Sequence, residues 1–101
     1  MAESAEEFSR KLARQALLKS LGKQAELQFS AVRMHSWTIP GLGSGYGFSG
    51  IVAIAGKDGT HRSVRFMAAP GGAGTEDQMA ASDFDALCET YCPGAGELST
   101  F

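Results

Sequence analysis

Residues 51–66 read IVAIAGKDGTHRSVRF, and this stretch predicts a β-hairpin. An apolar run rich in Val and Ile leads into residues 56–59, and a run that alternates between polar and apolar side chains follows them. The simplest connection is a three-residue loop with Gly59 in the left-handed conformation, which glycine adopts without steric cost. That loop fixes the register of the two strands through two facing pairs: Val52 with Val64, and Ile54 with Arg62.

The two strands extend outward from this turn, and a further strand precedes them. We predict strands over residues 27–39, 46–55 and 60–69, where Val, Ile and aromatic residues are frequent. In the first strand the apolar residues change parity between Ala31 and Val32. A parity change within one strand indicates a β-bulge.

A helix is predicted on the N-terminal side of these strands. Ser4 and Glu7 have the spacing of a capping box, in which a hydroxyl and a carboxylate cover free amides at the start of a helix. Good helix formers follow, and Gly22 is a typical stop signal. We therefore expect a helix over residues 4–21.

A second helix is predicted after the strands, over residues 82–92. Ser82 and Asp85 supply another capping box, and apolar residues follow at i, i+3, i+4 and i+7. Residues 94–101 carry no such pattern and predict a loose tail. The residues on the apolar stripe are Phe84, Leu87, Cys88 and Tyr91.

These elements predict one α+β domain over residues 1–101, with the order α-β-β-β-α and a three-stranded antiparallel sheet. The length of 101 residues suits one domain, and 44% hydrophobic with 20% charged residues is typical of globular proteins. The acidic start is unlike a secretory signal, and no apolar run is long enough to span a membrane. We therefore expect a cytoplasmic protein with no membrane partner.

Charge is distributed unevenly along the chain. All nine Lys and Arg residues lie at or before Arg65, and the residues after it carry six acids and no Lys or Arg. Such segregation either steers a partner or reflects an acidic helix that folds against basic elements of the same domain, and we expect the second.

The cysteine content excludes several classes of site. Cys88 and Cys92 are the only two cysteines, too few for a disulfide scaffold, and no further Cys completes a metal site. We expect both thiols to pack against the core, and their redox behaviour stays open. The sequence contains no catalytic motif that we recognise, so we expect no catalytic residues, no metal and no cofactor.

The segment 41–50 is unusually rich in glycine. Its glycines lead into a strand rather than a helix, which excludes a dinucleotide-binding fingerprint. It is therefore either a mobile connecting loop or a loop that contacts a partner. An anion could alternatively bind backbone amides in one of the Gly-rich loops, through Gly45, Gly47 and Gly50 or through residues 71–75.

One face of the predicted sheet combines basic and aromatic residues. Parity places Arg33, His35 and Trp37 on one side of the first strand, and His61 and Arg65 on one side of the third. This face is either a solvated surface or a recognition surface. With the glycine segment, the candidate partner-binding residues are Arg33, His35, Trp37, Tyr46, Phe48, His61 and Arg65.

The order α-β-β-β-α resembles that of double-stranded RNA-binding domains. That family begins its second helix with basic residues that contact phosphates, whereas residues 75–83 are acidic here. We therefore expect a small non-enzymatic interaction or regulatory domain that binds another protein through a sheet face, the glycine segment or the acidic helix. Two alternatives stay open, anion or small-molecule binding and nucleic-acid binding, the latter through Arg33, His35, Trp37, Arg62 and Arg65. The oligomeric state is not fixed by the sequence.

Overall fold

The computed structural model describes residues 4–22, 26–56 and 58–101, which form two helices and one antiparallel sheet of five strands. The strand order across the sheet is β4-β3-β2-β1-β5. The fold is therefore α+β with an N-terminal helix and a C-terminal helix, as the sequence predicts. The elements are α1 Ala5–Leu21, β1 Glu26–Ile39, β2 Gly43–Ala55, β3 His61–Ala69, β4 Gly72–Thr75, α2 Ala81–Tyr91 and β5 Glu97–Leu98.

The central hairpin has the predicted register. Val52 faces Val64, and the pairing continues in step from Phe48 to Ala55 along β2. Gly59 has a φ of 86°, and the Gly56 amide donates to the Thr60 carbonyl at 2.8 Å. These pairs confirm the predicted register. The sequence could predict it because the turn residues fix the register locally.

The predicted bulge in β1 is also present. The register with β2 shifts between Ser30 and Arg33, and Ala31 has a φ of 52°. Gly50 lies opposite, where a Cβ would come within 2.9 Å of the Ser30 carbonyl oxygen and 3.1 Å of the Val32 Cα. The two backbones approach so closely that only glycine fits at this position.

Each face of the sheet has its own apolar core. Ala13 and Leu17 of α1 pack against one face, together with Val52 and Phe66. On the opposite face, α2 packs Phe84 with other buried residues, among them Met67 and Cys92. Burial of each large side chain contributes roughly 1.5–3 kcal/mol to folding.

The two helix starts differ from each other. The Glu7 amide donates to the Ser4 Oγ at 3.1 Å, so Ser4 caps α1 as predicted. The capping box at Ser82 is wrong, because α2 begins at Ala81 and Ala80 provides the cap without a side-chain hydrogen bond. Packing of Phe84 on the sheet, rather than a polar cap, positions this helix.

The prediction of three strands is wrong, since the described residues form five. β4 pairs with β3 directly after a tight turn, with Ala69 facing Gly72. Its four residues, GAGT, carry neither a β-branched pattern nor sufficient length to indicate a strand. Pairing with the strand beside it, rather than propensity, makes this segment extended.

The prediction of a loose C-terminal tail is also wrong. Leu98 of β5 faces Arg33, and the Ser99 amide donates to the Val32 carbonyl at 2.9 Å. Phe101 is buried among three aromatic rings, with centroid distances of 5.0–5.4 Å: Phe29, Phe48 and Phe66. The tail is fixed by this aromatic contact, which no local pattern indicates.

Candidate functional site

The basic and aromatic residues do share one face of the sheet, as parity predicts. Trp37 faces Gly45 across β1 and β2, and Arg65 faces Ile51 across β2 and β3. Residues that face each other directly in antiparallel strands project to the same side. This is also the side on which α2 packs, so the helix determines how much of the face is open.

α2 and the segment after it cover the aromatic half of this face. The Trp37 ring packs edge-on against Tyr91 at 5.5 Å between centroids. His35 is only 5% exposed, with its Nε2 2.8 Å from the Ser49 Oγ and its Nδ1 3.2 Å from the Pro93 carbonyl oxygen. His35 therefore joins the tail to the sheet and is removed from the candidate partner-binding residues.

Phe48 and Tyr46 lie on the opposite face, toward α1. Phe48 is 0% exposed and belongs to the α1 core, so it too is removed from the partner-binding set. Tyr46 is half-buried beside the same core and lines a surface cleft that is described below. Both faces of the sheet bury apolar side chains against a helix. The alternation along a strand could therefore not show which face Tyr46 and Phe48 occupy.

The two arginines of β3 are paired with acids from within the chain. On this face the Arg65 Nε lies 3.0 Å from the Glu76 Oε2, and on the opposite side of β3 the Arg62 Nε lies 3.4 Å from the Asp77 Oδ2. The backbone N–H of Arg65 and then its guanidinium lower the pKa of the Glu76 carboxyl by donating to it. Two acids thus fold back over basic residues, but they lie in the segment before α2 and not in the helix that the sequence predicts.

Arg33 and His61 remain as exposed basic residues on this face. Base stacking needs an accessible aromatic ring, and Trp37 packs against α2 instead. The nucleic-acid alternative stays a prediction, and the arrangement of these residues does not favour it.

Most of the glycine segment is a strand rather than a loop, because β2 begins at Gly43. Gly45 lies beneath the Trp37 indole, where a Cβ would approach its Cζ2 to 2.9 Å. A Cβ on Gly47 would overlap the Tyr91 carbonyl oxygen of α2. These glycines and Gly50 therefore permit close packing of β2 against β1 and α2, and no amide-lined loop for an anion exists at Gly45, Gly47 and Gly50.

One edge of β2 is open at its N-terminal end. β2 pairs with β1 over residues 43–55 but with β3 only over residues 48–55. No described strand pairs with the outer edge over residues 43–47, of which Gly47 is buried beside the end of β3 and residues 43–46 are at least partly exposed. Alternate residues of an unpaired edge direct their N–H and C=O groups outward, where another strand can bind them.

A cleft of about 610 Å³ lies beside this open edge, between the first turns of α1 and the tip of the β1–β2 hairpin. Its apolar walls include Phe8 and Leu12 of α1, Tyr46 of β2 and Pro70 after β3. Trp37 also lines it, and the buried indole N–H has no hydrogen-bond partner within the described residues. Phe8 is 54% exposed, so an apolar surface is available at this site.

The strand that carries this open edge is uncharged. Residues 34–56 contain no Asp, Glu, Lys or Arg. Natural sheets usually protect an edge with a charge, a proline or a bulge. The signal that the sequence analysis missed is this uncharged run. It is longer than the nine residues of β3 that could pair with it.

This chain matches no protein-family model, no curated protein and no solved structure. Within the described ranges, no helix is long and apolar enough to cross a membrane. The same residues contain no group of three or more His, Cys, Asp or Glu side chains that could hold a metal ion. The open edge and the cleft beside it are the candidate functional site.

The two thiols lie in the core between α2 and the sheet and give a pH prediction. Burial raises the pKa of the Cys92 thiol to about 12 from an ordinary value near 9.0. The unfolded chain therefore loses this proton first, and the free energy of unfolding should fall as pH rises from about 9 to about 12. Urea titrations across this range check the result. Cys92→Ala should show a smaller decline, and an equal decline in both proteins would contradict the assignment.

Proposed function

We propose that this protein is an interaction domain that binds an extended segment of protein as an added strand. The added strand pairs with the outer edge of β2 over residues 43–46, and one of its side chains enters the cleft beside Phe8 and Leu12. A single observation supports this proposal: an uncharged strand edge without a partner lies directly beside an apolar cleft.

The chemistry of the two parts is complementary. Backbone hydrogen bonds along a strand edge supply affinity for any extended segment, and pockets for alternate side chains supply selectivity. Here the cleft selects an apolar side chain, since its walls are Phe8, Leu12, Tyr46 and Pro70. Four residues with hydroxyl groups also line the cleft and can accommodate polar neighbours of that apolar side chain in the bound segment. These residues are Ser9, Ser36, Thr38 and Ser44.

The other surfaces considered above fit an interaction less well. Arg62 and Arg65 are paired with acids of their own chain, and α2 and the tail cover His35 and Trp37. The edge of β2 instead has hydrogen-bonding groups that no described strand uses. A partner that contributes a strand gains these bonds without displacing any element of the fold.

Peptide selection tests the proposal. A displayed library of random heptapeptides is panned against sparsely immobilised protein, and an enriched sequence is synthesised and titrated into labelled protein. We expect amide chemical-shift changes concentrated at residues 43–47, with an apolar residue recurring in the selected peptides. Enrichment of peptides that shift other residues, or no enrichment at all, would overturn the proposal.

Phe8→Glu supplies the matched variant. The exposed Phe8 ring forms one wall of the cleft, so replacement with a carboxylate should weaken peptide binding by about tenfold or more. Leu18→Glu on the same helix is the control, because Leu18 is exposed and lies outside this cleft. Isothermal titration of the selected peptide measures both affinities, and equal losses would argue against the cleft.

A further inference from the structure

We infer that the bound segment carries a Lys or Arg two positions from its apolar residue, and that Glu6 and Glu97 bind this basic side chain. The inference rests on the proposed strand addition and names the chemistry of the partner. Two features beside the cleft support it: a second pocket that shares Tyr46 with the cleft, and the two carboxylates that line this pocket.

The second pocket has a volume of about 420 Å³ and adjoins the cleft. Tyr46 of β2 and Ser36 of β1 face each other and line both cavities. The segment after α2 forms the far wall, where it passes the edge of β1 over residues 93–97. The two cavities are therefore neighbouring parts of one groove, which begins at the open edge of β2 and ends at β5.

Two carboxylates give the second pocket a negative charge. Glu6 lines it from the first turn of α1, and Glu97 lines it from β5. Glu97 faces Met34, which in turn faces Phe48 of the α1 core, so the Glu97 side chain projects to the side of the sheet that carries α1. Neither carboxylate forms a salt bridge with a basic residue of the described ranges.

The basic residues of the chain do not compensate this charge. Arg10, one turn after Glu6 on α1, donates instead to the Thr100 carbonyl oxygen at 2.9 Å and to the Ser99 Oγ at 3.2 Å. His35 lines the pocket, but both of its ring nitrogens contact other groups of the chain. Among the described residues, no Lys or Arg lines either cavity. Charge complementarity therefore favours a cationic side chain from the partner.

Strand addition brings such a side chain towards the pocket. Two residues of the added strand project to the α1 side, where they face Ser44 and Tyr46. One of them enters the cleft, and the other lies two positions along. Lys and Arg cover apolar surface with their aliphatic stems while the charged end stays in polar surroundings. Ser36 is two strand spacings, about 10 Å, from the added strand, and a long basic side chain and the two Glu side chains together span this distance.

The mixed character of the groove decides between classes of partner. A nucleic acid or an anionic lipid surface would place negative charge against Glu6 and Glu97, which is unfavourable. A wholly apolar segment would leave the second pocket without a complementary group. A protein segment with one apolar and one basic side chain complements both parts of the groove.

The heptapeptide selection described above tests this inference. We expect a Lys or Arg two positions from the recurring apolar residue in peptides that shift residues 43–46. Replacement of Arg in such a peptide by citrulline, its neutral isostere, should weaken binding by about tenfold. Peptides that shift residues 43–46 without a basic residue at this position would overturn the inference and leave strand addition intact, whereas the absence of any enrichment would overturn both.

Two double variants test the role of the carboxylates. Glu6→Gln with Glu97→Gln should weaken binding of the arginine peptide by about tenfold and leave the citrulline peptide unchanged, as measured by isothermal titration. Glu7→Gln with Glu89→Gln is the control, because it removes two exposed carboxylates that lie outside the pocket. Equal losses in the two double variants would show general attraction rather than binding by Glu6 and Glu97, and would overturn the inference. Circular dichroism checks that both double variants fold, which the exposure of the four residues predicts.

Discussion

Replacement of Gly47 by alanine is expected to loosen α2 from the sheet and to lower the free energy of unfolding by about 3 kcal/mol. A Cβ at this position would overlap the Tyr91 carbonyl oxygen and approach the Cys92 Sγ to 3.3 Å. The first obstacle is backbone at the end of α2, so it cannot rotate away as a flexible side chain could. Relief of the overlap requires a shift of the helix end or of β2 itself.

Urea denaturation followed by fluorescence measures this effect. Trp37 is the single tryptophan and packs against Tyr91, so its emission reports whether α2 is in place. Gly71→Ala is the control, because no atom lies within 4 Å of a Cβ added there and its φ is not in the left-handed region. We expect Gly71→Ala to change stability by less than about 0.5 kcal/mol. Equal stability of the two variants would show that α2 does not press on β2 at Gly47.

Replacement of Phe101 by alanine is expected to cost about 3–5 kcal/mol and to release the C-terminal segment from the sheet. The ring lies at 5.0 Å from Phe29 between centroids, and the Arg14 guanidinium lies over it at 5.7 Å. Removal of the ring leaves a cavity beneath α1 that the surrounding aromatic side chains cannot fill without leaving their own contacts. The pairing of β5 with β1 comprises only two facing pairs and should not hold the segment alone.

Thermal unfolding and amide exchange at Ser99 check this second result. The Ser99 amide donates to the Val32 carbonyl, so it should exchange rapidly in Phe101→Ala while the central hairpin stays protected. Leu98→Ala serves as the comparison, because its exposed side chain should contribute less than about 0.5 kcal/mol. A Phe101→Ala protein as stable as Leu98→Ala would mean that the tail is not fixed by its aromatic residue.

The parts of the fold that the sequence predicted correctly are those whose signals are local. The register of the β2–β3 hairpin follows from Gly59 and the short loop that precedes Thr60. The cap of α1 follows from Ser4, whose hydroxyl accepts a bond three residues along the chain. The bulge in β1 follows from a parity change within a single strand. Each signal involves residues that are close in sequence, so a short window contains the whole interaction.

The candidate site was predicted only in part. The sequence drew attention to the glycine segment and to Tyr46, and parity correctly grouped Trp37 with Arg65 on one face. It did not indicate that α2 covers the aromatic half of that face, because no local pattern states where a helix will pack. Neither Phe8 nor Leu12 was a candidate, since each looks like an ordinary apolar residue of an amphipathic helix.

The sequence by itself determined the two helices and the three long strands in their order, the central register and the uncharged character of β2. Only the tertiary structure decided the two short strands, the buried position of Phe101 and the open edge at residues 43–47. These features depend on where one element ends against another that is distant in sequence, as β3 does beside Phe48. Side-chain periodicity records which face of a strand is apolar, whereas the exposure of an edge depends on the length of the neighbouring strand.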